Sequence, residues 1–197
     1  MMKFIKMLFL FVIMKDNYYN KISKSYNELY GEEQKKKMQI ISKSLPKKPK
    51  PKSILDIGCG SGLSTPKNQI GIDPSKELIK LHKGYNKNPN KSYAFVGNAE
   101  KLPFKNSQFD YVISVTVLHH CKIRKALNEI KRVTKKRNDR AGKKIDSKPN
   151  VILSILKKAK NFEQIEKEIK KVFEVKEKID EGKDVVFVLR KFYDLKE

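Results

Sequence analysis

The chain has 197 residues, with 45 Lys and Arg against 22 Asp and Glu, for a formal net charge of +23 and a pI near 9.9. That length suits one domain with a core that needs no disulfides, and the two cysteines, Cys59 and Cys121, read as reduced thiols of a cytoplasmic protein. No further Cys or His set stands at zinc-like spacing, and His119-His120-Cys121 on a strand would alternate faces, so no metal site is expected. The charge has two readings. One is a polyanion partner, foremost RNA, bound through counterion release. The other is AT-rich coding, since Lys far outnumbers Arg, whose fork suits phosphate better.

Residues 1–14 (MMKFIKMLFLFVIM) are apolar but shorter than the roughly 20 residues of a spanning helix, so no integral membrane span is expected. They read first as an over-extended start with Met14 as the true first residue, then as a peripheral anchor, then as a signal peptide that lacks a cleavage site. Residues 15–52 form an N-terminal lid and linker. Tyr18, Ile22, Tyr26, Leu29 and Tyr30 recur at helical spacing, and Gly31 is expected to divide the run into two helices. Pro46, Pro49 and Pro51 among lysines make an extended basic linker.

Residues 53–197 read as the main domain. Ile54, Leu55 and Ile57 make a buried strand that runs into Gly58, Gly60 and Gly62, a turn where backbone can approach a ligand. Ile70 and Ile72 make a second strand ending in Asp73, a position suited to accept ribose hydroxyls. The connection is short, and Pro66 limits its crossover helix to about a turn or two. Ser75 caps a helix that carries Leu78, Ile79 and His82, the last read as a surface histidine. Residues 93–96 form the third strand, and residues 109–115 the fourth, which continues towards His119 and His120.

Residues 123–133 form an amphipathic helix, 135–148 a charged loop, 151–156 the fifth strand and 162–172 another helix. Residues 175–179 and 185–189 close the chain as an antiparallel hairpin. Strands alternating with helices give an α/β, Rossmann-like, doubly wound and mostly parallel sheet. Its ligand crevice belongs at the carboxyl ends of the first, second and fourth strands.

A dinucleotide fingerprint would put its third glycine at position 63, which is Leu, and no second domain is available to hold a hydride acceptor. ILDIGCGSG, GIDPS, GNAEKLPF and FDYVISVTVLHH, in that order, instead resemble the motifs of the class I S-adenosylmethionine (SAM)-dependent methyltransferases. The resemblance is dense over residues 53–133 and implies a seven-stranded sheet with SAM as cofactor. It implies that Asp56, Ile57, Gly58, Cys59, Gly60 and Gly62 line the methionine and ribose side, with Asp56 holding the loop or the amino group. Asp73, Pro74 and Ser75 follow at the ribose, Asn98, Ala99 and Glu100 at the adenine, and Ser114 and Val115 at the fourth strand. The family commonly has Asp where this chain has Asn98. Tyr26, with Tyr30, is expected to cover the flank that the short link leaves open.

No general base is evident, and His119 and His120 are the only candidates near the transfer point. The pattern is similar to three groups: quinone-biosynthesis methyltransferases, tRNA wobble-uridine carboxymethyl-ester methyltransferases, and rRNA guanine-N7 methyltransferases. Both RNA groups use a small zinc-binding activator subunit. The expectation is therefore a methyltransferase acting on tRNA or rRNA. A small-molecule enzyme is the alternative, followed by an inactive SAM-fold module that binds RNA or a partner.

Overall fold

Short runs of branched apolar residues dominate the middle of the chain. In the computed structural model, which describes residues 18–88, 91–135 and 149–191, these runs are the strands of one seven-stranded sheet. The strands are β1 (Ile54–Ile57), β2 (Ile70–Asp73), β3 (Ala94–Val96), β4 (Tyr111–Val115), β5 (Val151–Leu156), β6 (Phe173–Asp180) and β7 (Asp184–Lys191). Their order is β3-β2-β1-β4-β5-β7-β6, parallel except for β7, which runs antiparallel to both of its neighbours. The expected doubly wound sheet and closing hairpin are thus both present, and the hairpin turns at Gly182 with φ +104°.

Every residue of β1 and β2 is buried, as befits strands covered on both faces. Alternation sends Leu55, Ile57, Val112 and Leu153 to one face. There they meet α3 (Ile123–Val133) through Leu127 and Ile130, and α4 (Phe162–Val172) through Ile165 and Ile169. Ile54, Ile113, Val115 and Ile152 point to the other face, under Ile41 and Met38 of α1 (Tyr26–Ile41). Between β2 and β3 lies the short α2 (Lys76–Leu81), capped by Ser75, whose hydroxyl accepts the Leu78 amide at 3.2 Å.

Four local expectations need correction. α1 runs unbroken through Gly31, and the interruption falls earlier, at a 3-10 turn over Ser23–Ser25 that follows helical residues 18–22. One internal glycine costs a helix only about 1 kcal/mol, and the packing of Met38 and Ile41 against the sheet outweighs it. The β1–β2 link has no helix at all and consists of turns. Gly62 sits at φ +88°, and the Ser64 and Thr65 hydroxyls are engaged by Asp56.

Third, residues 118–120 form a 3-10 turn rather than a strand extension, so the imidazoles of His119 and His120 lie side by side, centroids 3.8 Å apart and tilted by 46°, instead of alternating. Fourth, His82 is buried, with its ring beneath the glycine turn. Strands β3 and β4 begin one and two residues later than expected.

The apolar segment 1–14 and most of the charged loop 135–148 lie outside the described residues. Among the described residues no helix is long and apolar enough to cross a membrane, and no three His, Cys, Asp or Glu gather as metal ligands. Both cysteines are free thiols.

Candidate functional site

The glycine turn after β1 is a backbone structure held by its neighbours. The amides of Gly58 and Cys59 both donate to the Ile72 carbonyl, at 2.8 and 3.2 Å, which splices the turn onto β2. Gly58 has φ +74°, and a Cβ there would stand 2.2 Å from Val117 Cγ2. A Cβ on Gly62 would stand 2.5 Å from His82 Cδ2. Neither position can carry a side chain without moving its neighbours.

Asp73 closes the turn from β2. Its Oδ2 accepts the Gly60 amide at 2.9 Å and its Oδ1 the Ser75 amide at 2.8 Å. Asp56 is wholly buried and accepts the Ser64 and Thr65 hydroxyls on Oδ2, each at 2.7 Å. Its Oδ1 has no hydrogen-bond partner among the described residues. Burial pushes the Asp56 carboxyl up to about 6, the two hydroxyls opposing the shift and the charge of Asp73 adding to it.

His82 packs against both Gly62 and Gly71 from below. Its Nδ1 accepts the Gly84 amide at 2.9 Å, which assigns the neutral ring with its proton on Nε2, and burial lowers its pKa accordingly. Cys59 Sγ abuts Gly71 from the same side, and burial raises its thiol pKa. Both residues support the turn from beneath.

At the next strand end Asn98 is exposed, its Oδ1 accepting the Glu100 amide at 3.0 Å, while Ala99 is buried. Glu100 Oε1 accepts the Lys122 amide at 2.8 Å, just before α3. The following loop is held by Arg132 of α3, which donates to the carbonyls of Leu102 at 2.9 Å and Phe104 at 2.6 Å. Ser114 and Val115 lie inside the sheet, and the Ser114 hydroxyl donates to the Ile57 carbonyl at 3.0 Å. Ile57 is core, and Pro74 is exposed at the rim.

The N-terminal segment roofs this site. The Tyr26 ring lies on Gly60, its hydroxyl 3.2 Å from where a Cβ would be. Asn27 accepts the Ser61 hydroxyl, and Asn20 accepts the Ser75 hydroxyl at 2.6 Å. Tyr19 packs edge-on to Tyr26 and to His120, and its hydroxyl stands 3.4 Å from His120 Nε2. Burial raises the pKa of both Tyr19 and Tyr26, and a hydrogen bond with Tyr18, followed by burial, pushes Tyr30 up to about 12. Tyr26 thus faces the glycine turn and Tyr19 the histidine pair.

Sequence reasoning missed Tyr19, Asn20 and Asn27, because a tyrosine stripe reads first as ordinary packing. On the flank left open by the helix-free link, a groove of about 510 Å³ runs between the end of α1 and residues 63–66, floored by Ile54.

These residues fit SAM. Its methionine and ribose need a turn without side chains, an acid at the end of β2 and a polar group at the end of β1. Gly58–Gly62, Asp73 and the open oxygen of Asp56 supply them.

Comparison with known proteins gives a matching set. A family described as "Methyltransferase domain" matches residues 55–138. An uncharacterised protein of Methanocaldococcus jannaschii, MJ1252, is 37% identical over 191 residues, spanning 91% of this chain and 70% of that protein. The tRNA (carboxymethyluridine(34)-5-O)-methyltransferase of Saccharomyces cerevisiae is 32% identical over 116 residues, which is 55% of this chain but only 40% of that enzyme.

Among solved structures, a SAM-dependent methyltransferase of Thermotoga maritima, described as a possible histamine N-methyltransferase, superposes with a TM-score of 0.64. It is 19% identical and covers 88% of this chain and 98% of its own. A putative methyltransferase of Haloferax volcanii, solved in complex with the Trm112 methyltransferase activator, gives 0.58 at 15% identity, covering 82% and 78%. At those identities the likeness is one of fold.

Proposed function

The chain belongs to the class I SAM-dependent methyltransferases, and from that premise we propose that its methyl acceptor is RNA, with tRNA foremost. The observation that carries the acceptor reading is the 32% identity over 116 residues to a yeast tRNA methyltransferase. The net charge of +23 supports it. We treat residues 53–197 as the catalytic domain and 15–52 as its lid and linker, in a cytoplasmic protein.

Bound SAM supplies a methyl group already activated on a sulfonium, open to in-line attack by a nucleophile. The work left to this chain is orientation and the exclusion of water. Gly58, Gly60 and Gly62 would carry the donor's methionine and ribose on bare backbone. Asp73 would take the ribose hydroxyls, its carboxylate already aligned by the Gly60 and Ser75 amides. The free Oδ1 of Asp56 would receive the amino group. Asn98 and Ala99 would border the adenine, where an amide offers a donor as well as an acceptor. Tyr26 would close the site over Gly60.

Tyr19 and the His119–His120 pair meet beyond the end of β4, a position we read as the acceptor side. Either imidazole there could take a proton from an acceptor that needs to lose one, and an acceptor that is already an anion would need no base. The small zinc-binding activator that the resemblance implies fits the same reading as a partner, and the Haloferax methyltransferase was solved with a methyltransferase activator.

The test is incubation with labelled SAM and separate pools of tRNA, rRNA, protein and lipid extract, with and without such an activator. Label entering tRNA supports the reading. Label entering only the lipid or protein pool would replace RNA with that class of acceptor.

A further inference from the structure

α1 carries a lysine whose ammonium is wholly buried. Lys37 Nζ donates to Glu33 Oε1 at 2.7 Å and to Thr116 Oγ1 at 2.8 Å, and lies 3.2 Å from Asp184 Oδ2. Asp184, the first residue of β7, is itself fully buried. The same Oδ2 accepts the Thr116 hydroxyl at 2.7 Å and the Ser154 hydroxyl, from β5, at 2.6 Å. One carboxylate oxygen thereby joins α1, the residue after β4, β5 and β7.

Thr116 is the unusual member. Its φ is +60°, a region that β-branched residues rarely enter. Its amide donates to the Ser154 carbonyl at 2.9 Å, and its hydroxyl is committed on both sides, to the lysine as acceptor and to the carboxylate as donor. Such strain persists only where the surroundings over-determine it. What it sets here is the direction of the next residues. Val117 packs onto Gly58, and the turn at 118–120 presents His120 to Tyr19. On the opposite side, Lys37 sits on the helix that lays Tyr26 on Gly60.

Stability alone is a poor reason for this arrangement. Burying an ion pair costs desolvation, and a well-packed apolar pair commonly serves as well or better. Directional bonds to one oxygen do what apolar packing does not, which is to fix a register among four elements.

We propose that Asp184 is a positioning residue of the methyl-transfer site, holding Lys37 of α1 and Thr116 beyond β4 in one buried node so that both walls of the glycine turn are set together. This rests on placing the transfer point at the ends of β1, β2 and β4. Asp184 acts through Lys37 and Thr116, not on the donor itself.

The experiment compares the full chain with Asp184→Ala, alone and combined with Thr116→Gly or with Lys37→Met. It measures SAM affinity by calorimetry, the melting temperature, and amide exchange over residues 26–41. Asp184→Ala should weaken SAM binding about tenfold and speed exchange in α1. Adding Lys37→Met removes the buried charge that Glu33 alone would then balance and should restore the melting temperature, yet leave SAM binding weak. Adding Thr116→Gly lets the backbone hold its positive φ without help and should restore most of the affinity.

If Lys37→Met restores both quantities, or Thr116→Gly restores neither, Asp184 only balances a charge and the proposal is overturned. Should Asp184→Ala fail to fold, Asp184→Asn keeps the shape and an acceptor oxygen, and the same comparisons apply. A wild-type chain that binds no SAM would sink the donor-site reading instead. The exchange measurement would then still decide the node, since unchanged protection of α1 in the Asp184 variant overturns it.

Discussion

Asp73 and Gly60 are bound to each other across the floor of the site, the Gly60 amide donating to Asp73 Oδ2 at 2.9 Å. The acid therefore shapes the turn on which the donor is proposed to lie. Asp73→Ala should weaken SAM binding by about 2–3 kcal/mol, the range for hydrogen bonds to a charged group. The domain should stay folded, because the Ile72 carbonyl still holds Gly58 and Cys59. Asp73→Asn keeps an acceptor oxygen and should lose less. Calorimetry beside a thermal melt separates the two effects, and unchanged affinity in the Ala variant would misplace the ribose side.

Gly58→Ala should be damaging for two separable reasons. The new methyl would stand 2.2 Å from Val117 Cγ2, and the residue would carry strain at φ +74°. The strain alone is worth about 1–3 kcal/mol. Adding Val117→Ala should remove the clash but not the strain, so stability should recover only in part. Full recovery in denaturant titrations would show that the backbone conformation matters little.

Asp56 and His82 should give opposite pH slopes. An acid raised from 3.8 to about 6 binds its proton more tightly folded than unfolded. Its contribution to stability is therefore lowest above pH 6 and improves as pH falls towards 4, by about 3 kcal/mol in all. His82, depressed by burial, takes its proton more readily unfolded, so its contribution is lost as pH falls below its ordinary value of 6.5. Asp56→Asn should remove the first slope and leave the second. The difference in unfolding free energy between variant and wild type, followed from pH 7 to pH 4, is the measurement. A flat difference would refute the buried-carboxylate assignment.

RNA binding should be strongly salt-dependent if the lysine excess works as proposed. Neutralising about five phosphates would lower affinity by roughly a thousandfold between 50 and 200 mM salt. Filter binding with tRNA at several salt concentrations gives the slope directly. No measurable slope would return the lysines to the status of a compositional bias.

The strands and the glycine turn were legible because their signals are local. A branched apolar run can go only to a covered strand, and three glycines on alternate positions before an acid-terminated strand leave few conformations. His82 was misread because its burial comes from a turn twenty residues earlier in sequence, which no helical periodicity reports. Gly31 was misread because a local penalty was set against tertiary packing that the sequence does not display. Lys37, Thr116 and Asp184 were invisible for a stronger reason: a lysine four residues after a glutamate reads as an ordinary surface pair until a second carboxylate arrives from β7.

That last arrangement also dictates an order of assembly during synthesis. The lid is made early and its anchor at the far end of the chain; Glu33 of α1 meets Lys183 across 150 residues. Until β7 has paired with β5 and β6, Lys37 has only Glu33 of its own helix as a counter-ion, and α1 lacks the carboxylate that ties it to Thr116. A nascent chain halted before residue 184 can display the whole glycine turn and still lack the anchor of its cover. The cover of the donor site thus gains its last hydrogen-bonded anchor only when the final hairpin has been made.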